Sequence, residues 1–275
     1  ETVSKQLNEM QYQIPQVFFK SNILIGFLQG ERQPFSCFCT NIIPNYAMYT
    51  ADYAQCLPLY IYDKDGNLHD NITDWALNQF KARYLTDLSG FENLKGLTKQ
   101  DIFHYVYAVL HHPVYREKYE LNLKREFPRI PFYEDFFKWA EYGRQLMDLH
   151  LNYESVEKYP LKREDLTGFK NLSGLKPKLK ADKENGLIIL DEQTYLSGIP
   201  NEAWEYKLGN RSALEWVLDQ YKEKKPKDPT IAEKFNHYKF ADYKEQVIDL
   251  LMRVCTVSVK TVDIVKALNA LNGSK

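Results

Sequence analysis

Four cysteines and six histidines are the side chains of this sequence best suited to bind a metal ion or to act as nucleophile and base. Cys37 and Cys39 face the same side of a predicted strand, but no further pair of cysteines or histidines has the spacing of zinc ligands. His111 and His112 are neighbours at the end of a predicted helix, where adjacent side chains diverge by about 100° and cannot share one ligand. We therefore predict reduced structural thiols, helix-end histidines, and no metal or other cofactor.

Residues 63–67 are similar to the first residues of a calcium-binding loop of the EF-hand type. Such a loop needs an acidic ligand at its twelfth position, where this sequence has Thr73, so a hairpin turn is predicted instead. The sequence contains no glycine-rich nucleotide-binding motif, no serine-nucleophile or zinc-protease motif, and no N-P-P-Y or D-P-P-Y signature of an adenine amino-methyltransferase. Catalysis by this chain is therefore not expected.

Length and charge set outer limits on the fold and its partners. The 275 residues, 44% of them hydrophobic, can bury a sizeable core as one large domain or two smaller ones. The net charge of −1 leaves a polyanionic partner open, because the overall balance can hide a local basic patch. No signal peptide opens the chain and no apolar run approaches the roughly 20 residues of a membrane span, so a cytoplasmic protein is expected.

The predicted secondary-structure elements, which must position any functional site, indicate an α+β fold. It has a β-rich N-terminal portion, a central helical spacer, and a C-terminal hairpin and strand packed with helices. Apolar runs separated by turn residues predict antiparallel strands over 16–62. In the middle, Thr98 and Asp101 form a capping box at a helix start. The prolines of 127–132 exclude a continuous helix, and a long amphipathic helix is predicted over 133–150.

The second half continues with a β-hairpin that turns at Asn185-Gly186. A strand over 204–208 and a helix capped by Ser212 and Glu215 follow, and two amphipathic helices are predicted to end the chain. The predicted portions are 1–126 (strands and helices), 127–153 (a link and the long helix) and 154–275 (a second α+β portion), with one single domain as the alternative.

Several strings of this sequence, taken in order, resemble one protein family. They are PFSCFCTNIIPN, QCLPLYIYD, DIFHYVYAVLHHPVYREKY, LKREFPRIPF, LSGIPNEAWEYKLGNRSALEWVLDQY and IAEKFNHYKFADYKEQVIDLLMRVCTVSVKTVDIVKAL. From about residue 16 to residue 268 the chain resembles the C-terminal specificity domain of the Type ISP restriction–modification enzymes. Its FPRIPF segment is also similar to one in single-chain Type II enzymes that fuse a methyltransferase to a recognition domain.

This resemblance implies a function that composition alone does not. Family members are long polypeptides with a nuclease, a helicase-like ATPase motor, an adenine-N6 methyltransferase and a C-terminal target recognition domain, and this chain resembles only the last part. The implied role is sequence-specific recognition of a short asymmetric site in double-stranded DNA. The site would be presented to methyltransferase, helicase and nuclease domains outside this chain, and the methyltransferase would turn the target adenine out of the stack. The alternative is a domain that docks onto these partners without reading DNA.

Recognition of DNA needs lysine and arginine at phosphates and polar side chains at base edges. The basic tract 158–183 is the main candidate, and a solvated lysine-rich loop explains it equally well. The cations at 124–129 could instead be surface charges of a docking link. Arg211 could pair with a carboxylate rather than with a phosphate beside a helix start. The linker 222–227 could be a solvated connection. Amides in the loop 40–45 could read adenine or bond their own backbone. The candidate DNA-contacting residues are Lys124, Arg125, Arg129, Lys162, Arg163, Lys176, Lys178, Lys180 and Arg211.

Overall fold

Two compact units make up the chain: unit 1 comprises residues 1–151 and 264–275, and unit 2 comprises residues 152–263. Helices and antiparallel sheets occur together, which confirms the α+β class. Within the part of the chain that the structure describes, no helix has the length and apolar composition to cross a membrane. This computed structural model describes residues 17, 20–28, 30, 32–44, 54–85, 96–166, 175–223, 228–230, 233 and 238–272.

The described part of unit 1 contains antiparallel strands from Leu24 onward, as the apolar runs predict. In its three-stranded sheet β1 lies between β2 and β3, and β4 pairs with β5 in a hairpin. The carboxylate of Asp63 accepts hydrogen bonds from the backbone N–H groups of Asp65 and Asn67 in the hairpin turn, which confirms the predicted turn. The strands are β1 (Leu24–Leu28), β2 (Ser36–Thr40), β3 (Ala54–Pro58), β4 (Tyr60–Tyr62) and β5 (Leu68–Asp70).

Helices supply most of the core of unit 1, and two of them approach each other closely. A Cβ atom at Gly143 of the fifth helix would lie 1.8 Å from the carbonyl oxygen of His104 in the second, so only glycine fits this contact. The second helix begins with the predicted capping box of Thr98 and Asp101. The helices are α1 (Asp74–Tyr84), α2 (Lys99–His111), α3 (Pro113–Lys118), α4 (Glu120–Leu123) and α5 (Phe136–Leu151).

Unit 2 is built on a four-stranded antiparallel sheet with the order β6-β9-β8-β7, so β6 and β7 are its two edges. Apolar side chains of the inner strands pack against α7 and α8, with Ile188, Leu190 and Leu214 fully buried. The strands are β6 (Lys162–Asp165), β7 (Pro177–Asp182), β8 (Leu187–Asp191), β9 (Thr194–Ser197), β10 (Lys207–Leu208) and β11 (Arg211–Ser212). The helices are α6 (Glu202–Glu205), α7 (Ala213–Gln220) and α8 (Phe240–Asn272), whose residues from 264 onward belong to unit 1.

Two predicted elements of the second half differ from the structure. The strand predicted over 204–208 is confirmed only at Lys207–Leu208, which form β10. Residues up to Glu205 form the helical turn α6 instead, because the consecutive residues Ala203 and Trp204 are both buried and a strand would place them on opposite faces. The two predicted C-terminal helices are the single helix α8. Its hydroxyl groups do not interrupt it, since Ser258 donates to the carbonyl oxygen of Val254 one turn earlier. All four cysteines are free.

Candidate nucleic-acid interface

A β-bulge in the edge strand β7 places two of the candidate lysines. Pro177 pairs with Asp191 and Lys180 pairs with Ile189, so Lys178 and Leu179 together lie opposite one residue of β8. Leu179 has a positive φ of 41° and is only 2% exposed. The bulge therefore buries Leu179 in the core, while the lysines before and after it are exposed.

Four candidate lysines of unit 2 lack a counter-charge in direct contact. Among the described residues, no carboxylate forms an ion pair with Lys162, Lys176, Lys178 or Lys180, and all four side chains are exposed. Such cations can neutralise DNA phosphates without first breaking an internal pair. Lysines along an edge strand also prevent edge-to-edge pairing with another sheet, so their placement has a structural explanation as well.

Arg163, on the opposite edge of the sheet, is held by acids. Its guanidinium lies 2.8 Å from the carboxylates of both Asp165 and Glu245. Lys158 is also paired, with Asp249. Because β6 and β7 are separated by three interstrand spacings, or about 14 Å, the described cations of the basic tract lie on two separate edges, and residues 167–174 of the tract are not described.

A buried ionic network supports the sheet between these edges. The ammonium of Lys244 in α8 lies 2.7 Å from the carboxylate of Asp191, which also accepts a hydrogen bond of 2.7 Å from the backbone N–H of Thr194. Although burial opposes it, these contacts hold the pKa of Asp191 below its ordinary value. The sequence does not show this pair, because its members are far apart in the chain.

Arg211 and Lys180 line a common hollow of about 290 Å³ at the β7 edge. The Arg211 guanidinium lies 3.0 Å from Asp219 and 5.1 Å from the ring centroid of Trp216. The pairing with a neighbouring carboxylate, one of the two predicted alternatives, is therefore observed. Asp219 also lies 3.2 Å from Lys222, which completes the basic rim of the hollow.

The three remaining candidates belong to unit 1. Lys124 pairs with Glu120 at 2.6 Å, Arg129 pairs with Glu126 at 3.1 Å, and Arg125 is exposed. The Arg129 side chain is nevertheless 90% exposed, so its pair is screened by solvent and weak. Of the three, Arg129 borders a cleft of about 300 Å³, half of whose lining residues are aromatic or proline, namely Tyr115, Tyr119, Phe127, Pro128 and Pro131.

Two further predicted features lie partly outside the described residues. In the loop after β2, Asn41 is exposed, and the Thr40 hydroxyl accepts a hydrogen bond from the backbone N–H of Ile42, while Asn45 is not described. In the basic linker, Lys222 is described and residues 224–227 are not.

The chain matches the family described as the Type ISP C-terminal specificity domain over residues 2–250. It belongs to this family. The resemblance found in the sequence is thereby confirmed. No curated protein matches the chain.

Solved structures of larger proteins are similar to nearly all of this Type ISP specificity domain. A cryo-EM structure of a DrdV–DNA complex is 50% identical, with a TM-score of 0.85, over 96% of this chain and 26% of that one. A nuclease-deletion mutant of the Type ISP restriction–modification enzyme LlaGI, in complex with a DNA substrate mimic, is 29% identical, with a TM-score of 0.68, over 93% and 22%. The ATP-dependent Type ISP enzyme LlaBIII bound to DNA is 27% identical, with a TM-score of 0.71, over 94% and 17%. The specificity domain thus spans about a quarter or less of these proteins.

Sequence reasoning missed the residues that organise the hollow of the specificity domain. Asp219 and Trp216 were not among the candidates, and Lys222 was considered only as part of the linker 222–227. The available signal was their placement in and just after a helix that starts next to Arg211, since residues one or two turns into such a helix can reach back to its first turn.

Proposed function

We propose that this domain recognises a short asymmetric sequence in double-stranded DNA and presents it to an adenine-N6 methyltransferase, and to helicase and nuclease domains, outside this chain. The observation that carries the proposal is its 50% identity, over 96% of its length, to part of a protein solved as a DNA complex. In this proposal, catalysis and cofactor binding belong to the other domains, and the chain itself contributes no catalytic residue.

The unpaired lysines support a direct contact with DNA. Lys176, Lys178 and Lys180 follow one another along an exposed edge, so they can meet successive phosphates of one DNA strand. Lys162 would contact the backbone from the other edge of the sheet. Arg163 has a smaller part in this proposal, because an ion pair must be broken before it can bind a phosphate.

One observation favours the alternative, a docking function without DNA recognition. The cleft in unit 1 is lined by aromatic and proline side chains, and Phe127 on its wall is 58% exposed. Aromatic anchors in a concave apolar site are typical of protein interfaces. Such a cleft is compatible with DNA recognition elsewhere on the chain, so it makes docking an additional possibility rather than a replacement.

The test is selection from a pool of duplexes with a randomised central stretch, at about 100 mM salt, where non-specific phosphate binding is partly suppressed. The chain is used in the polypeptide in which it is naturally made, with a version lacking residues 152–263 as the control. We expect enrichment of a single asymmetric motif that disappears in the control. Enrichment of the same motif without residues 152–263 would contradict recognition by unit 2, and the absence of any motif would contradict the proposed function.

A further inference from the structure

Arg211 is held in place from two directions. The carboxylate of Asp219 lies 3.0 Å from its Nη1, and the face of the Trp216 indole lies under the guanidinium, 5.1 Å from centroid to Cζ. An ion pair and a cation–π contact together remove most of the rotamer freedom of a long side chain. A lysine on a surface loop has no comparable restraint.

The supports of Arg211 are themselves fixed. The indole Nε1 of Trp216 donates a hydrogen bond of 2.7 Å to the carbonyl oxygen of Leu208. Leu208 pairs with Arg211 across the tight hairpin of β10 and β11, where Gly209 adopts a φ of 67° that favours glycine. Immediately after Arg211, the capping box of Ser212 starts α7, the helix that carries both supports.

The guanidinium keeps donors available despite its ion pair. Asp219 contacts Nη1 alone, and among the described residues no partner is bound to Nε or Nη2. The side chain is 43% exposed at the edge of the 290 Å³ hollow. The Nε–Nη2 edge of the guanidinium thus offers two parallel N–H donors on a side chain that the ion pair and the indole contact restrain.

We infer that Arg211 reads a guanine in the major groove, by donating from this edge to O6 and N7, and that Trp216 and Asp219 are its positioning residues. The inference rests on the proposed function and adds a residue that determines specificity. Paired donors from a planar fork match the two acceptors of guanine, and this match distinguishes guanine from the other bases.

A phosphate contact is the weaker explanation of the same geometry. Asp219, which Arg211 shares with Lys222, offsets part of the positive charge of Arg211, and this lowers its attraction to the DNA backbone but leaves the direction of its donors unchanged. The flexible cations on the rim, Lys180 and Lys222, suffice for phosphates, because an ammonium acts as a point charge without a required orientation. An arginine held this firmly is suited to a directional contact.

The experiment compares Arg211→Lys with the wild-type chain in the randomised-duplex selection, both in the natural polypeptide. Lysine keeps the charge and removes the planar fork, so we expect one guanine position of the enriched motif to lose about 10-fold or more of its preference, while the other positions stay unchanged. Arg144→Lys is the matched control, because Arg144 is also paired with acids and is 49% exposed, but lies in unit 1. The control should enrich the wild-type motif.

The other possible results of the selection would contradict the proposed role of Arg211. If Arg211→Lys keeps every base preference, or weakens binding equally for all sequences, Arg211 does not read a base and the inference is wrong while the proposed function stands. If the wild-type chain enriches no motif, the proposed function fails and this inference fails with it. Trp216→Leu should relax the same guanine position and Trp216→Phe should largely restore it, whereas a purely structural role would lower the melting temperature without changing any base preference.

Discussion

Replacing Lys176, Lys178 and Lys180 together by alanine should flatten the salt dependence of DNA binding. These residues span four steps of chain from just before β7 into that strand, or at most about 13 Å at roughly 3.3 Å per residue. Phosphates of one DNA strand are spaced about 3.4 Å along the helix axis, so three of them lie within reach of this stretch. Since none of the three lysines has an ion-pair partner among the described residues, each can release a counterion from DNA on binding.

The size of the effect follows from the number of contacts. Each phosphate neutralised contributes about −0.9 to the slope of log K against log salt, so three contacts contribute about −2.7. Over a fourfold rise in salt, from about 50 to about 200 mM, the wild-type affinity should fall about 40-fold more than that of the variant. Titration of a fluorescent duplex at four or five salt concentrations measures both slopes.

A stability measurement and a second lysine variant are the controls for this prediction. The three side chains are exposed, so their loss should change the free energy of unfolding by less than about 0.5 kcal/mol. A matched variant replaces the exposed lysines Lys64, Lys118 and Lys138 of unit 1, and its slope should equal that of the wild type. If the first variant also keeps the wild-type slope but self-associates, the lysines only protect the edge of the sheet, and the proposed backbone contact is wrong.

Three further predictions concern the scaffold. Gly143→Ala should destabilise unit 1 by about 2 kcal/mol or more in denaturant titrations, because the new Cβ would lie 1.8 Å from a backbone oxygen of α2. Gly96→Ala is the control and should have little effect, because its new Cβ would meet no atom within 4 Å. Burial and the nearby positive charge of Arg116 lower the pKa of His111, so the folded state keeps it neutral while the unfolded chain takes up a proton below about pH 6.5. The stability contributed is therefore complete above that pH and is lost below it, at up to about 1.4 kcal/mol per pH unit, and His111→Gln should reduce this slope in unfolding experiments between pH 7 and 5. Deleting Lys178 should leave the pairing of β7 intact, because Leu179 would then oppose β8 alone, and should reduce the salt slope by about 1 without lowering the melting temperature.

Local signals were the most predictable part of this fold. Both capping boxes were predicted from pairs of residues three apart, and they are present, since a cap depends only on the first turn of its own helix. The hairpin turn at Asn185-Gly186 is likewise set by adjacent residues and joins β7 to β8. Six ordered strings of scaffold residues were enough to identify the family.

Contacts between distant parts of the chain could not be predicted in the same way. The bulge in β7 depends on the register against β8, and no glycine marks the positive φ of Leu179. The pair of Lys244 and Asp191 joins residues that are distant in the sequence. For Arg211 the sequence indicated an acidic partner or a phosphate, and only the start of α7 relative to the hairpin decides that Asp219 is in reach.

Within unit 2, core packing and the proposed DNA contacts are separated at the level of single side chains. In β7, Leu179 fills the core while the lysines on either side of it face solvent, so these lysines can change without repacking the sheet. Arg211 likewise lies outside the core, between the Asp219 carboxylate and the Trp216 indole, whose Nε1 is bonded to the carbonyl oxygen of Leu208. A domain arranged in this way can exchange its contact residues, and with them its DNA site, at little cost in stability. For the same reason, a resemblance in scaffold residues identifies the family but not the bases that are read.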